Sequence, residues 1–125
     1  MITVERAILI HDEVLRQDGG AHGLRDRNGL ESAIARPYQT FGAEELYPTC
    51  FEKAAAIGES AVMNHPFLDG NKRTGLSLMI ALLGEGGYSV KGTDDELYDF
   101  VVRISTGELA FDSIVAWLKA HTVLL

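Results

Sequence analysis

Two apolar stretches, one on either side of a short polar interruption, constrain this chain most. Between Thr49 and Val62, the residues Phe51, Ala54, Ala55, Ile57, Gly58, Ala61 and Val62 recur at helical spacing, and small side chains dominate. Between Leu76 and Leu83 the apolar residues Leu76, Leu78, Met79, Ile80, Ala81, Leu82 and Leu83 cover most of a helix circumference. A helix apolar all round must be enclosed by others, and one faced with Ala and Gly lets a neighbour approach closely. The spacing therefore predicts two central helices. Pro66 disfavours helical dihedrals at His65, so the first helix ends near Asn64 and the second starts near Asn71.

The flanking segments supply the enclosing helices. Val4, Ala7, Ile8, Val14 and Leu15 give an amphipathic first helix over 3–17, with His11 on the same face as a hydrogen-bonded core residue. A glycine-bearing loop, 18–28, follows. Asn28 with Glu31 resembles a capping box for a short helix ended by Pro37, and Arg25, Asp26 and Arg27 read as a solvated charge cluster. The segment from Tyr38 to Tyr47 has three aromatic residues and no clear period, a surface loop or groove wall. Thr49 with Glu52 and Thr93 with Glu96 form two further capping boxes, the second opening a helix with Leu97, Phe100, Val101 and Ile104 on one side. Gly84, Gly86 and Gly87 end the apolar helix, and a last helix from about Asp112 carries Ile114, Trp117 and Leu118. No sustained alternation predicts a substantial sheet. The expectation is an all-α domain over 1–125 with about six helices.

A net charge of −7 argues against a general nucleic-acid binder, because such affinity rests on Lys and Arg neutralising phosphates. The lone Cys50 forms no intrachain disulfide, and no stretch reads as a leader or a membrane span, so a cytoplasmic protein with no membrane association is expected.

The polar interruption, His65 Pro66 Phe67 Leu68 Asp69 Gly70 Asn71 Lys72 Arg73 Thr74 Gly75, is not ordinary core, cap or turn. The first N–H groups of a helix lack intrahelical partners and, with the positive end of the macrodipole, attract phosphate. Gly70 permits close approach of backbone and ligand, and Lys72 and Arg73 add charge-assisted hydrogen bonds. The stretch reads as an anion cradle with a base, His65, beside it. The pair His11 Asp12 invites a metal-hydrolase reading, which lacks further His and Asp at matching positions.

His65, Phe67, Asp69, Gly70, Asn71 and Arg73 match in order the pattern HxFx(D/E)GNxRxxR, and the chain thereby resembles the Fic/Doc family. Lys72 is similar to the death-on-curing branch of that family, as are the run Gly23 Leu24 Arg25 Asp26 and the short helix around Leu30 Glu31 Ser32 Ala33. The resemblance implies His65 as general base, with Arg73 in the catalytic machinery. It implies Asp69 as ligand of a Mg²⁺ bridging the phosphates of ATP, and Gly70, Asn71, Lys72 and Arg73 as nucleotide binders. Phe67 is implied to pin the loop into the core.

Two departures bear on what is transferred. Lys72 stands where AMP-transferring members have Gly, and Leu76 where they have a second Arg. A lysine crowds the AMP-transferring pose, and loss of the Arg removes a bidentate phosphate clamp. The resemblance then implies a reversed nucleotide and a toxin that phosphorylates a hydroxyl of a protein, elongation factor Tu, and is paired with a Phd-like antitoxin. Against it stand a Fic-type AMP transferase that tolerates Lys72, and a catalytically silent antitoxin-binding protein. An inhibitory helix within the chain would resemble (S/T)xxxE(G/N), and Thr40 to Glu44 fits only its first part.

Overall fold

The computed structural model describes all 125 residues. Six helices form the body: α1 (Val4–Asp18), α2 (Arg27–Ala35), α3 (Cys50–Asn64), α4 (Asn71–Glu85), α5 (Asp94–Ser105) and α6 (Phe111–Ala120). A single 3₁₀ turn, Arg36–Tyr38, extends α2 through Pro37. The six predicted helices are present. No helix is long and apolar enough to cross a membrane.

α3 and α4 are the central pair, and their contact depends on missing side chains. Ala54, Ala55, Ala56, Ile57, Gly58, Ala61 and Val62 of α3 are buried, as are Leu78, Met79, Leu82 and Leu83 of α4. A Cβ on Gly75 would meet Val62 Cγ2 at 2.7 Å, and one on Gly58 would overlap the Met79 side chain. α1, α5 and α6 close the sides of the pair, adding Ala7, Phe100, Val101, Ile104, Ile114 and Leu118 to one core cluster.

Of the three expected capping boxes one is complete, one is partial and one is replaced by another cap. Thr93 and Glu96 form the full box, with Thr93 Oγ1 accepting from Glu96 N–H and Glu96 Oε1 accepting from Thr93 N–H. At α3 the Thr49 hydroxyl accepts from Glu52 N–H and donates to its carboxylate, so only half of the box exists. Asn28 does not cap α2. Asp26 does, accepting from Gly29 N–H at 2.9 Å, and Glu31 pairs instead with Arg27 at 3.1 Å. An aspartate standing earlier in the chain takes the cap, because its carboxylate already reaches a free N–H of the first turn.

Four short strands are present, though no substantial sheet was expected. β1 (Thr40–Phe41) and β2 (Glu44–Glu45) make a hairpin, and β3 (Tyr88–Val90) pairs antiparallel with β4 (Thr122–Leu124), Ser89 opposite Val123. Thr40 to Glu44 is thus extended rather than an inhibitory helix. The hairpin is anchored at its base. Arg36 donates to the Tyr47 hydroxyl and to Glu59 and Ser60, with its guanidinium over the rings of Tyr47 and Phe111. Burial pulls the Arg36 pKa down, but the bonds to Tyr47 and Glu59 outweigh it and leave the group above its ordinary value.

Candidate functional site

The loop between α3 and α4 is fastened to the fold backbone by backbone. α3 ends on His65, the only non-glycine residue with positive φ (47°, ψ 55°). Arg25 straps this end, donating from Nε to the His65 carbonyl at 2.7 Å and from Nη2 to the Asn64 carbonyl at 2.8 Å. These are carbonyls that the helix itself leaves unpaired. The Pro66 carbonyl accepts from the N–H groups of Arg25 and Asp26, and Leu68 N–H donates to the Gly23 carbonyl at 3.0 Å. The segment Gly23–Asp26 is therefore a splint for the loop. Arg25 and Asp26, read as a solvated cluster, are a strap and a helix cap.

Phe67 and Asn71 complete the fastening from inside. The Phe67 ring is 2% exposed and stacks on the buried His11 ring at 3.7 Å with 6° between planes. His11 Nε2–H donates to the Asp69 carbonyl at 2.8 Å, which fixes the protonated nitrogen, since a carbonyl only accepts. His11 is the hydrogen-bonded core histidine expected, and no three His, Cys, Asp or Glu side chains converge anywhere as a metal cage. The Asn71 amide closes a ring on the Phe67 backbone, accepting from its N–H and donating to its carbonyl, each at 3.0 Å. Asn71, expected from the resemblance to bind phosphate, spends its acceptor and one of its two donors on holding the loop.

With the backbone fixed, the side chains converge on a cleft of about 530 Å³ lined by Asp69, Gly70, Asn71, Lys72 and Arg73, and opposite them by the α1 end and Tyr98 of α5. The α4 N-terminus opens into it. Gly70, at φ 78°, is the N-cap and offers no side chain, so the first-turn N–H groups face the cleft without a cap. Asp69 is not that cap. Its Oδ1 accepts from Gly70 N–H at 2.9 Å and its Oδ2 from Ala21 N–H at 3.3 Å, and Gly20 packs so close that a Cβ there would meet Oδ2 at 2.8 Å. The carboxylate is held from two sides, partly exposed toward the cleft.

Lys72 lines the cleft without a protein partner, whereas Arg73 has two. Its Nε lies 3.4 Å from Asp18 Oδ2, and its guanidinium carbon is 4.8 Å over the Tyr98 ring. His65 stands outside the lining, exposed at the head of the loop. The structure thus brings Asp69, Gly70, Asn71, Lys72 and Arg73 into one cleft and leaves His65 outside its lining, at the start of the same loop.

This arrangement suits one kind of metal. Magnesium is held through one or two carboxylates plus substrate phosphates rather than by an all-protein cage. Asp69, the one motif carboxylate in a cleft lined by Lys72, Arg73 and free helix N–H groups, is such a donor set. Sequence reasoning missed Asp18, Gly20, Ala21 and Tyr98, which come from the last residue of α1, the loop that follows it and α5. Only the tertiary fold brings them here, and Arg25 was signalled by nothing beyond the family-like run around it.

Comparison with known proteins agrees with the geometry. Residues 1–83 match the Fic/DOC family. The chain is 34% identical over 102 residues to Toxin Doc of Mycolicibacterium smegmatis, which covers 80% of this chain and 78% of that protein. It is 31% identical over 118 residues to Protein kinase doc of Escherichia phage P1, covering 94% of this chain and 92% of that protein. A match spanning the loop, the splint that fastens it and the two central helices leaves one conclusion: the chain belongs to the Fic/DOC family.

Proposed function

We propose that this chain is a Doc-like toxin that transfers the γ-phosphoryl group of ATP to a Ser or Thr hydroxyl of a protein, elongation factor Tu, in the cytoplasm. A Phd-like antitoxin restrains it. The observation that carries this reading is Lys72, unpaired within the chain and lining the cleft beside Asp69 and Arg73, at the motif position where AMP-transferring members have Gly. The relatives named Toxin Doc and Protein kinase doc support the same direction.

The chain's own residues divide the work. His65, exposed at the head of the loop, accepts the proton of the incoming hydroxyl as general base. The oxygen of the target hydroxyl forms the new bond to phosphorus as the bond to the ADP leaving group breaks. Lys72, Arg73 and the first-turn N–H groups of α4 face the charge on the transferred group, and they are in place before reaction, which is where electrostatic catalysis gains most. Asp69 is the residue that would hold a Mg²⁺ ion, which would supply further neutralisation of that charge. Asn71, Phe67, His11 and Arg25 keep the loop from moving, and displacement by even about 1 Å is costly, on the order of a hundredfold in rate.

The test is intact-mass analysis of elongation factor Tu after incubation with the protein, ATP and Mg²⁺, with His65→Ala as control. A gain of one phosphate, absent with His65→Ala, is the expected result. A gain of AMP instead means that Lys72 does not reverse the nucleotide. No mass change on elongation factor Tu or on any other candidate protein would leave a silent antitoxin-binding protein as the reading.

A further inference from the structure

The cleft holds an acid that the motif does not contain. Asp18 is the last residue of α1, and its carboxylate approaches Arg73 Nε at 3.4 Å, both side chains being a little under half exposed (44% and 43%). Stability does not account for it. An acid in the last turn opposes the helix macrodipole, and an ion pair this exposed contributes little. What Asp18 does change is the field of the cleft. Two carboxylates, Asp18 and Asp69, and two cations, Lys72 and Arg73, line it, so its side-chain charges sum to zero.

We infer that Asp18 is a specificity-determining counter-ion: it occupies Arg73 and keeps the cleft neutral, so that a nucleotide already carrying a divalent cation is accepted in preference to a bare polyphosphate. The inference rests on the reading of the cleft as the nucleotide site. Tyr98 takes part by holding the guanidinium over its ring, which keeps Arg73 across the cleft and beside Asp18. A bare triphosphate arrives with roughly twice the negative charge of its magnesium complex, and Asp18 repels it in proportion. The magnesium complex brings cationic charge that Asp69 welcomes and that offsets the repulsion. Selectivity then lies in a residue fifty-one positions before the metal ligand.

The experiment is calorimetric titration of the full chain with ATP in EDTA and with ATP and excess Mg²⁺, at low ionic strength, because exposed charges are screened beyond about 10 Å in 0.1 M salt. Wild type, Asp18→Asn, Arg73→Ala and the double variant are compared. Asp18→Asn is expected to tighten metal-free ATP about five- to tenfold and the magnesium complex by about the square root of that factor, narrowing the preference for the complex. In the Arg73→Ala background the gain shrinks, since no cation is left to be released. Weaker binding of both forms by Asp18→Asn, as expected of a merely structural residue, overturns the inference, and so does an unchanged preference. If Arg73→Ala leaves both affinities at the wild-type value, the nucleotide does not bind in this cleft, and the site reading fails rather than the role of Asp18 alone.

Discussion

Asn71→Ala separates a brace from a phosphate ligand. The amide is the sole protein partner of both the Phe67 N–H and the Phe67 carbonyl, at 3.0 Å each, and the Phe67 side chain beside them is almost fully buried. Truncation strands a donor and an acceptor, each at about 1–2 kcal/mol in a partly buried setting, so the loss is about 2–4 kcal/mol. For a domain of this size that is a fall in Tm of roughly 8–15 °C. Asn71→Asp keeps the acceptor for the Phe67 N–H and turns an oxygen toward the carbonyl, so it recovers at most half of the loss. Urea unfolding followed by circular dichroism measures both. Should Asn71→Ala unfold within about 0.5 kcal/mol of the parent while losing affinity for ATP and Mg²⁺, the brace would be refuted and the residue would be a ligand alone.

Three further outcomes follow from the same geometry. Arg25→Ala frees the Asn64 and His65 carbonyls and is expected to cost about 1–2 kcal/mol by denaturation, with Arg25→Lys failing to rescue because an ammonium cannot span both carbonyls with a planar fork. Gly58→Ala drives a Cβ into Met79 and costs about 1–2 kcal/mol despite its gain in helix propensity. Adding Met79→Ala to it should cost less than the two single losses combined, and strict additivity would show that the two residues do not compete for space. The third outcome concerns pH. Hydrogen bonds from the Thr93 backbone N–H and hydroxyl hold the Glu96 carboxyl below its ordinary value of 4.5. A folded pKa below the unfolded one means that the capping contribution is present above pH 4.5 and lost as pH falls through the folded value. Glu96→Gln keeps the box without the titration, so its Tm should fall less than that of the parent between pH 7 and pH 3, and an equal fall would remove Glu96 from the acid response.

What could be read in advance was whatever depends on near neighbours. The small residues of α3 and the apolar run of α4 specify their burial wherever the other helices lie, and Thr93 finds Glu96 three residues away. The motif reached the cleft because Asp69 through Arg73 are consecutive and open one helix. What was not readable is the other half of each long-range bond. Arg25 looks like any exposed cation until α3 ends forty residues later beside it, and Asn71 looks like a ligand until its amide is seen turned back onto Phe67. Asp26 outcompeted Asn28 because several polar residues near a helix start can each cap it, and only the backbone path chooses. The Tyr38–Tyr47 segment failed for a different reason: strands of two residues carry no periodicity to detect.

His65 itself gives the sharpest separation of chemistry from folding. It ends α3 in the left-handed region, φ 47°, a conformation that costs a residue bearing a Cβ about 1 kcal/mol and that glycine adopts freely. Glycine is the usual residue at such a helix end, so a histidine there is maintained against the backbone's preference, which is where functional side chains tend to stand. Replacing it with glycine relieves this strain but gives the unfolded chain more freedom, worth about 0.4–1 kcal/mol in the opposite direction. The two effects nearly cancel, and His65→Gly should match the parent in stability. His65→Ala keeps the strain and any contacts it loses are those of an exposed ring, so it should be no more stable than His65→Gly. On the proposed reading of His65 as general base, both should lack the kinase activity. Unfolding in which His65→Ala proves clearly more stable than His65→Gly would mean that the turn does not require positive φ in solution, and the histidine would then be held in place by something other than the end of α3.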